Sequence, residues 1–165
     1  MFNITLLTLT DFEIICSELK DFFKKNKDPL PNFQESYFDK LESVIATPRR
    51  TFNKKDLYPG LFEKASCYLY FINKLHPFSN ANKRISIVAT GVFLMYNRHE
   101  FTSDENLMYE FAKKITLSQK DQKTEFNEVV AFIRKHTKKI TLFKKQPFIF
   151  EILKFLQRVR VPKYR

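Results

Sequence analysis

The sequence predicts an all-α protein built around one hydrophobic core, and three observations support this class. Apolar residues recur at helical spacing in six segments, which polar or proline-containing stretches separate. Only two glycines, Gly60 and Gly91, occur in 165 residues, too few for a fold that depends on tight β-turns. Aromatic residues form 16% of the chain, with 19 phenylalanines, which is typical of helices that bury bulky side chains. A chain of this length can enclose one sizeable core.

The first three helices are predicted from their apolar periods and their boundary residues. Thr10 and Glu13 form a capping-box pattern at the start of the first helix. The second helix covers 38–45 and ends near Pro48, because the residue before a proline avoids the helical conformation. The third, over 59–75, is the longest apolar-periodic segment in this half of the chain.

The next three helices follow the same logic. A fourth helix is predicted over 85–96. Thr102 and Glu105 form a second capping-box pattern before a fifth helix, and a sixth ends near His136. The sequence therefore predicts a helical domain over 1–137.

The remaining residues, 138–165, are predicted to be a basic C-terminal extension. Nine Lys and Arg against one Glu give this segment a charge of +8, most of the chain's net +11. Its apolar residues have helical spacing, which favours one more helix packed on the domain. Binding of an acidic partner protein, RNA or a ribosomal surface is the alternative. No base-reading motif supports sequence-specific DNA recognition.

Cysteine usage and the N-terminal residues suggest a compartment. Cys16 and Cys67 lie in apolar helical patterns without metal-ligand spacing, so they are predicted to be buried free thiols, which fits a reducing cytosol. The first ten residues lack the pattern of a secretion signal, and no apolar stretch has the length of a membrane span. A cytoplasmic location is expected.

The most informative segment is the nine-residue string HPFSNANKR at 76–84. His76 ends one predicted helix, and after a short loop Lys83 and Arg84 open the next. A helix N-terminus attracts anions through its unpaired backbone N–H groups and its dipole, and two adjacent cations favour phosphate. A base beside a phosphate site is what transfer of part of a nucleotide to a hydroxyl requires.

This string resembles the signature of Fic/Doc proteins, roughly H-x-F-x-D/E-G/A-N-G/K-R, and the matching positions are His76, Phe78, Ala81, Asn82, Lys83 and Arg84. The A-N-K-R ending is similar to the Doc (death-on-curing) branch. Nucleotidylating relatives usually have G-N-G-R and a further arginine where this chain has Ile87. The order of helices over about 30–137 also resembles Doc. The resemblance implies a Fic/Doc-type helical bundle with a small flap, for which a β-hairpin is one option, before the motif-bearing helix.

The resemblance also implies a role for each motif residue. His76 would be the general base that accepts the proton of a Ser, Thr or Tyr hydroxyl, and Phe78 would anchor the loop. Nucleotide phosphates would contact Ala81, Asn82, Lys83 and Arg84. For the side chain of Asn82, fixing the loop and bonding a phosphate oxygen are both open.

Lys83 decides which reaction the resemblance implies. In the Doc branch, a lysine at this position is associated with an inverted ATP that presents its γ-phosphate to the hydroxyl. The implied products are a phosphoprotein and ADP, and elongation factor Tu is the target known for this branch. Two alternatives stay open: AMP transfer (protein adenylylation), and a catalytically silent Fic fold that acts as a partner-binding module.

Asn80 departs from the family pattern, which has an acidic residue at this position. Mg²⁺ prefers carboxylate ligands and substrate phosphates, and an amide oxygen brings no negative charge. Asn80 could be a weak or water-mediated ligand to a Mg²⁺ that ATP holds, or the chain could be a slow or inactive member. ATP is the expected co-substrate, with magnesium use weakened.

Two further features concern the target and regulation. Residues 47–55 occupy the place of the flap, where Thr51 and Phe52 are predicted to dock a target segment by main-chain pairing; an ordinary basic loop is the alternative.

The string closest to the inhibitory helix of Fic enzymes, [S/T]-x-x-x-E-[G/N], starts at Thr124, but Val129 follows its glutamate. A built-in inhibitor is therefore not expected, and a separate antitoxin is implied.

Overall fold

A computed structural model of the chain describes residues 3–23, 30 and 32–140. The predicted all-α class is confirmed. The six α-helices of this part are α1 Leu9–Phe23, α2 Phe38–Ala46, α3 Leu61–Leu75, α4 Asn82–Tyr96, α5 Glu105–Leu117 and α6 Gln122–Lys135. Two short 3-10 helices, Phe33–Glu35 and Thr47–Arg49, flank α2. The four strands are β1 Thr51–Phe52, β2 Lys55–Asp56, β3 His99–Phe101 and β4 Thr137–Lys139. The helix predicted within the C-terminal extension falls on 141–165, outside the described residues.

The centre of the fold is α4, whose residues are buried without interruption from Arg84 to Leu94. A helix that is buried on all sides belongs in the middle of a helical layer structure. Accordingly α3 packs along α4, and α1 and α5 also contact it, while α6 packs on α3. This arrangement places the loop between α3 and α4 at one end of the central helix pair.

The first turns of two helices differ from the prediction. The capping boxes predicted at 10–13 and 102–105 are wrong. The cap lies two residues earlier in α1 and two residues later in α5. In α1, Thr8 and Asp11 bond reciprocally: Thr8 Oγ1 and N donate to Asp11 Oδ2 (2.6 and 2.7 Å), and Asp11 N donates to Thr8 Oγ1 (3.3 Å). In α5, the N-cap is Asp104, whose carboxylate accepts from the backbone N–H three residues on (2.9 Å). Short side chains next to each predicted cap reach the helix N–H groups first.

The first sheet is a β-hairpin at the position of the flap, the form that the family resemblance named as one possibility. Strands β1 and β2 are antiparallel, with Thr51 opposite Asp56. The turn residues Asn53 and Lys54 both have positive φ (48° and 61°), the backbone that a two-residue type I′ turn requires. The segment 47–55 therefore forms one short 3-10 helix and most of a hairpin.

The second sheet is a feature that the sequence does not predict. Strand β3 pairs with β4 in antiparallel register, with His99 opposite Lys139. Two helices lie between these three-residue strands, and neither strand is long enough to show a period of two. Strand β4 crosses the predicted boundary between 137 and 138, which itself stays a prediction.

Both cysteines match their prediction. Cys16 and Cys67 are free and buried, and burial raises the pKa of the Cys16 thiol to about 12. Within the described residues, no helix combines the length and apolarity that a membrane span needs.

Candidate active site

His76 ends α3 in a left-handed backbone conformation (φ 48°, ψ 63°), and its N–H donates to the carbonyl of Ile72 (3.2 Å). This αL cap is the common way to end a helix, but glycine or asparagine usually fills it. A histidine there costs on the order of 1 kcal/mol, which the surrounding structure must offset. The turn directs the chain sharply out of α3 and leaves His76 exposed at the mouth of the loop.

The imidazole of His76 is suited to accept a proton. Partial burial, followed by the positive charges of Lys83 and Lys40, lowers its pKa below the usual 6.5. The ring is therefore largely neutral at physiological pH, the state that a general base requires.

Lys40 is a site neighbour that the sequence analysis missed. It lies in α2, whose start is fastened to the loop by a bond from Tyr37 N–H to the carbonyl of Pro77 (2.8 Å). Its ammonium lies 4.7 Å from the centre of the Tyr37 ring. No local motif marks this lysine, because only the packing of α2 against the loop brings it near His76.

One side chain closes the loop between α3 and α4. Asn82 Oδ1 accepts from the backbone N–H of Phe78 (3.0 Å), and Asn82 Nδ2 donates to the carbonyl of the same residue (2.7 Å). Both residues are buried, at 7% and 1% exposure. The Phe78 ring lies against Phe12 of α1, with 6.4 Å between ring centres. In this structure the Asn82 amide thus spans the loop; a bond to phosphate stays a prediction.

The N-terminus of α4 faces the same loop. Ala81 precedes the helix in a left-handed conformation (φ 62°), and no side chain caps the first turn. The N–H of Ala81 donates to Asn80 Oδ1 (2.6 Å), and its contact with nucleotide phosphates stays a prediction. The first turn of α4 still presents the positive end of the helix dipole toward the loop.

The two cations of the motif occupy different environments. Lys83 is half-exposed and close enough to affect the His76 pKa. Arg84 is only 5% exposed, so its guanidinium is held within the fold near the start of α4. A positive, partly buried helix end is a favourable place for phosphate oxygens.

A magnesium ion held by the protein does not fit the residues of this loop. Its only predicted ligand, Asn80, is neutral, and its amide oxygen already accepts the N–H of Ala81. Among the residues that the structure describes, no three His, Cys, Asp or Glu side chains form a metal-binding group. Mg²⁺ demands charged oxygen ligands or substrate phosphates.

The base of the flap hairpin contacts the first turn of α3, the end of that helix opposite to His76. Lys64, 7% exposed in the first turn of α3, donates to the carbonyl of Pro48 (2.7 Å) and pairs with Asp56 (3.2 Å) at the base of the hairpin. Lys64 precedes His76 by twelve residues, about 18 Å along the helix axis. Thr51 lies opposite Asp56 in the hairpin, and Phe52 is 68% exposed. Docking of a target segment by these two residues stays a prediction.

Comparison with known protein families identifies the family of this chain. The model of the Fic/DOC family matches residues 7–94, which include the whole loop. The chain belongs to the Fic/Doc family.

A curated relative, a protein named Toxin Doc from Mycolicibacterium smegmatis, is 31% identical over 80 residues. The alignment spans 45% of this chain and 62% of the length of that relative. No solved structure gives a significant match.

Proposed function

We propose that this protein is a Doc-like toxin that transfers the γ-phosphate of ATP to a hydroxyl of a protein target. Family membership, the A-N-K-R ending of the loop and the similarity to a protein named Toxin Doc support this assignment. The observation on which it depends most is the position of the exposed His76 beside the N-terminus of α4, which no side chain caps and which also presents Lys83.

The proposed reaction uses few protein groups. The hydroxyl oxygen of the target attacks the γ-phosphorus as its proton passes to the imidazole of His76. A new P–O bond forms, the bond from the γ-phosphorus to the β,γ-bridging oxygen breaks, and ADP leaves. The α4 dipole, with Lys83 and Arg84, stabilises the charge on the phosphate oxygens. His76 afterwards releases its proton to solvent.

The proposed biological setting is a bacterial toxin–antitoxin pair in the cytoplasm. The target would expose a Ser, Thr or Tyr, and a translation factor such as elongation factor Tu is the candidate. The position of Glu128, the glutamate of the inhibitor-like string, supports a separate antitoxin. It bonds Lys120 and pairs with Lys114 (3.5 Å) on the exposed side of α5 and α6. Both pairs engage the Glu128 carboxylate with lysines outside the motif.

A catalytically silent partner-binding protein is the second candidate, and one observation favours it. Asn80 replaces the acidic residue of the family and bonds its own loop. AMP transfer has less support, because Ile87, at the position of the second family arginine, is only 1% exposed within the core.

Transfer of label from ATP separates these functions. The purified protein is incubated with bacterial lysate and ATP labelled at the α- or the γ-phosphate. We expect a labelled protein from γ-labelled ATP only, and none with His76→Asn, which keeps the left-handed cap because asparagine tolerates positive φ. Label from the α position only would overturn the kinase proposal in favour of AMP transfer. Absence of label from either position, together with a stable complex with one partner, would favour the silent fold.

A further inference from the structure

A partly buried ion pair involves the last turn of α3, the turn that His76 follows. Lys74, two residues before the histidine, pairs with Glu125 Oε2 at 2.8 Å and donates to the carbonyl of Ser118 at 3.0 Å. Glu125 is only 3% exposed and belongs to the first turn of α6. The ion pair thus connects the last turn of α3 to the first turn of α6, a helix outside the motif.

The carboxylate of Glu125 stays ionised in this position. Burial raises its pKa, but the ammonium of Lys74 at 2.8 Å and the neighbouring polar groups of Ser118 and Tyr70 outweigh burial and lower it below the usual 4.5. Tyr70, one turn before Lys74, is itself buried; burial and then the neighbouring Glu125 carboxylate raise the Tyr70 pKa. Two side chains of α3 therefore converge on one charge in α6.

A second set of bonds holds the same turn from α4 and α5. Asn73 Nδ2 donates to Ser86 Oγ of α4 (2.7 Å), and Thr116 Oγ1 of α5 donates to Asn73 Oδ1 (3.3 Å). The three helices that surround the end of α3 each contribute a polar anchor to the two residues before Leu75. A strained left-handed residue persists only where its surroundings fix it, and His76 follows this anchored turn.

We propose that Lys74 and Glu125 are positioning residues: their ion pair sets the orientation of the final turn of α3, and with it the place of the His76 imidazole against the N-terminus of α4. This inference rests on the proposed function of His76. Stability alone does not explain the pair, because replacing a buried ion pair with apolar residues of similar volume is often neutral or stabilising. If the pair positions His76, its loss should change the activity and the geometry of the site rather than the stability of the fold.

The test therefore measures the stability of the fold and the rate of transfer separately. In the double variant Lys74→Met/Glu125→Leu, we expect a melting temperature close to that of the wild type. We also expect a fall of about 10- to 100-fold in kcat for transfer from ATP, with the KM for ATP little changed, since small misplacements of a catalytic group cost up to about this much. The matched control is Lys120→Met/Glu128→Leu, an exposed pair in the same part of the fold, which should leave kcat unchanged.

A second readout does not need activity. The ring resonances of His76, followed by NMR against pH, should shift in position and in midpoint in the Lys74/Glu125 double variant and not in the control. If the wild type transfers nothing, the proposed function fails, while this readout still tests the positioning. A folded double variant with wild-type kcat and unchanged His76 resonances overturns the inference. If the double variant does not fold, Glu125→Gln, which keeps the shape and removes the charge, takes its place under the same two criteria.

Discussion

Replacing Asn82 with alanine removes the two hydrogen bonds that close the loop between α3 and α4. The N–H and the carbonyl of Phe78 would both lose their partner inside a residue that is 1% exposed. A buried polar group left without a partner costs about 1–3 kcal/mol. We therefore expect the free energy of unfolding to fall by about 3 kcal/mol. For a domain of this size, that loss lowers Tm by about 6–12 °C.

Urea unfolding followed by circular dichroism measures this loss, and two further variants test its cause. Asn82→Asp keeps the acceptor for the Phe78 N–H but replaces the donor with an oxygen that faces the Phe78 carbonyl, so it should also destabilise. Ser79→Ala changes an exposed residue of the same loop and should stay within about 0.5 kcal/mol of the wild type. A loss below about 1 kcal/mol in Asn82→Ala would refute the role of this amide as the closure of the loop. Wild-type stability of Asn82→Asp would show that its donor is dispensable.

Three other predictions concern the titration of the site, its metal use and the thiols. His76 should titrate below pH 6.5 by NMR; because its folded pKa is lowered, stability should be full above 6.5 and fall as the pH drops through the folded pKa. A midpoint at or above 6.5 would contradict this, and Lys83→Met should move the midpoint upward. Asn80→Asp keeps the acceptor for the Ala81 N–H and adds a charge, so calorimetric titration should show ATP binding at lower Mg²⁺; an identical Mg²⁺ dependence would count against it. Cys16 and Cys67 should react with a thiol reagent only after denaturant is added, since burial raises both pKa values, and rapid labelling of the native protein would disprove their burial.

The helices and the motif loop were predictable because their signals are local. Apolar periods over ten or more residues survive in the sequence whatever the rest of the chain does, so α3 and α4 were found within a few residues of their observed ends. The position of His76 at a helix end and of Lys83 at a helix start followed from the same periods.

The features that were predicted wrongly or missed depend on competition between neighbouring caps or on contacts between distant residues. Thr8 with Asp11 competes with the neighbouring Thr10 for the start of α1, and only the backbone geometry decides between them. The pairing of β3 with β4 and the ion pair of Lys74 with Glu125 join residues tens of positions apart. A single sequence does not show which distant residues are in contact, so neither the strand pairing nor the ion pair could be predicted.

The burial of α4 has a consequence for when the site can exist. A helix enclosed on every side from Arg84 to Leu94 has few routes for local opening, so its amide hydrogens should exchange with solvent only through global unfolding. The helix end that faces His76 is the beginning of this most protected element. Partly folded chains that lack the packed core therefore lack the site as well. Any activity of the protein should appear late in folding, in step with the most slowly exchanging amides, rather than with the first helices to form.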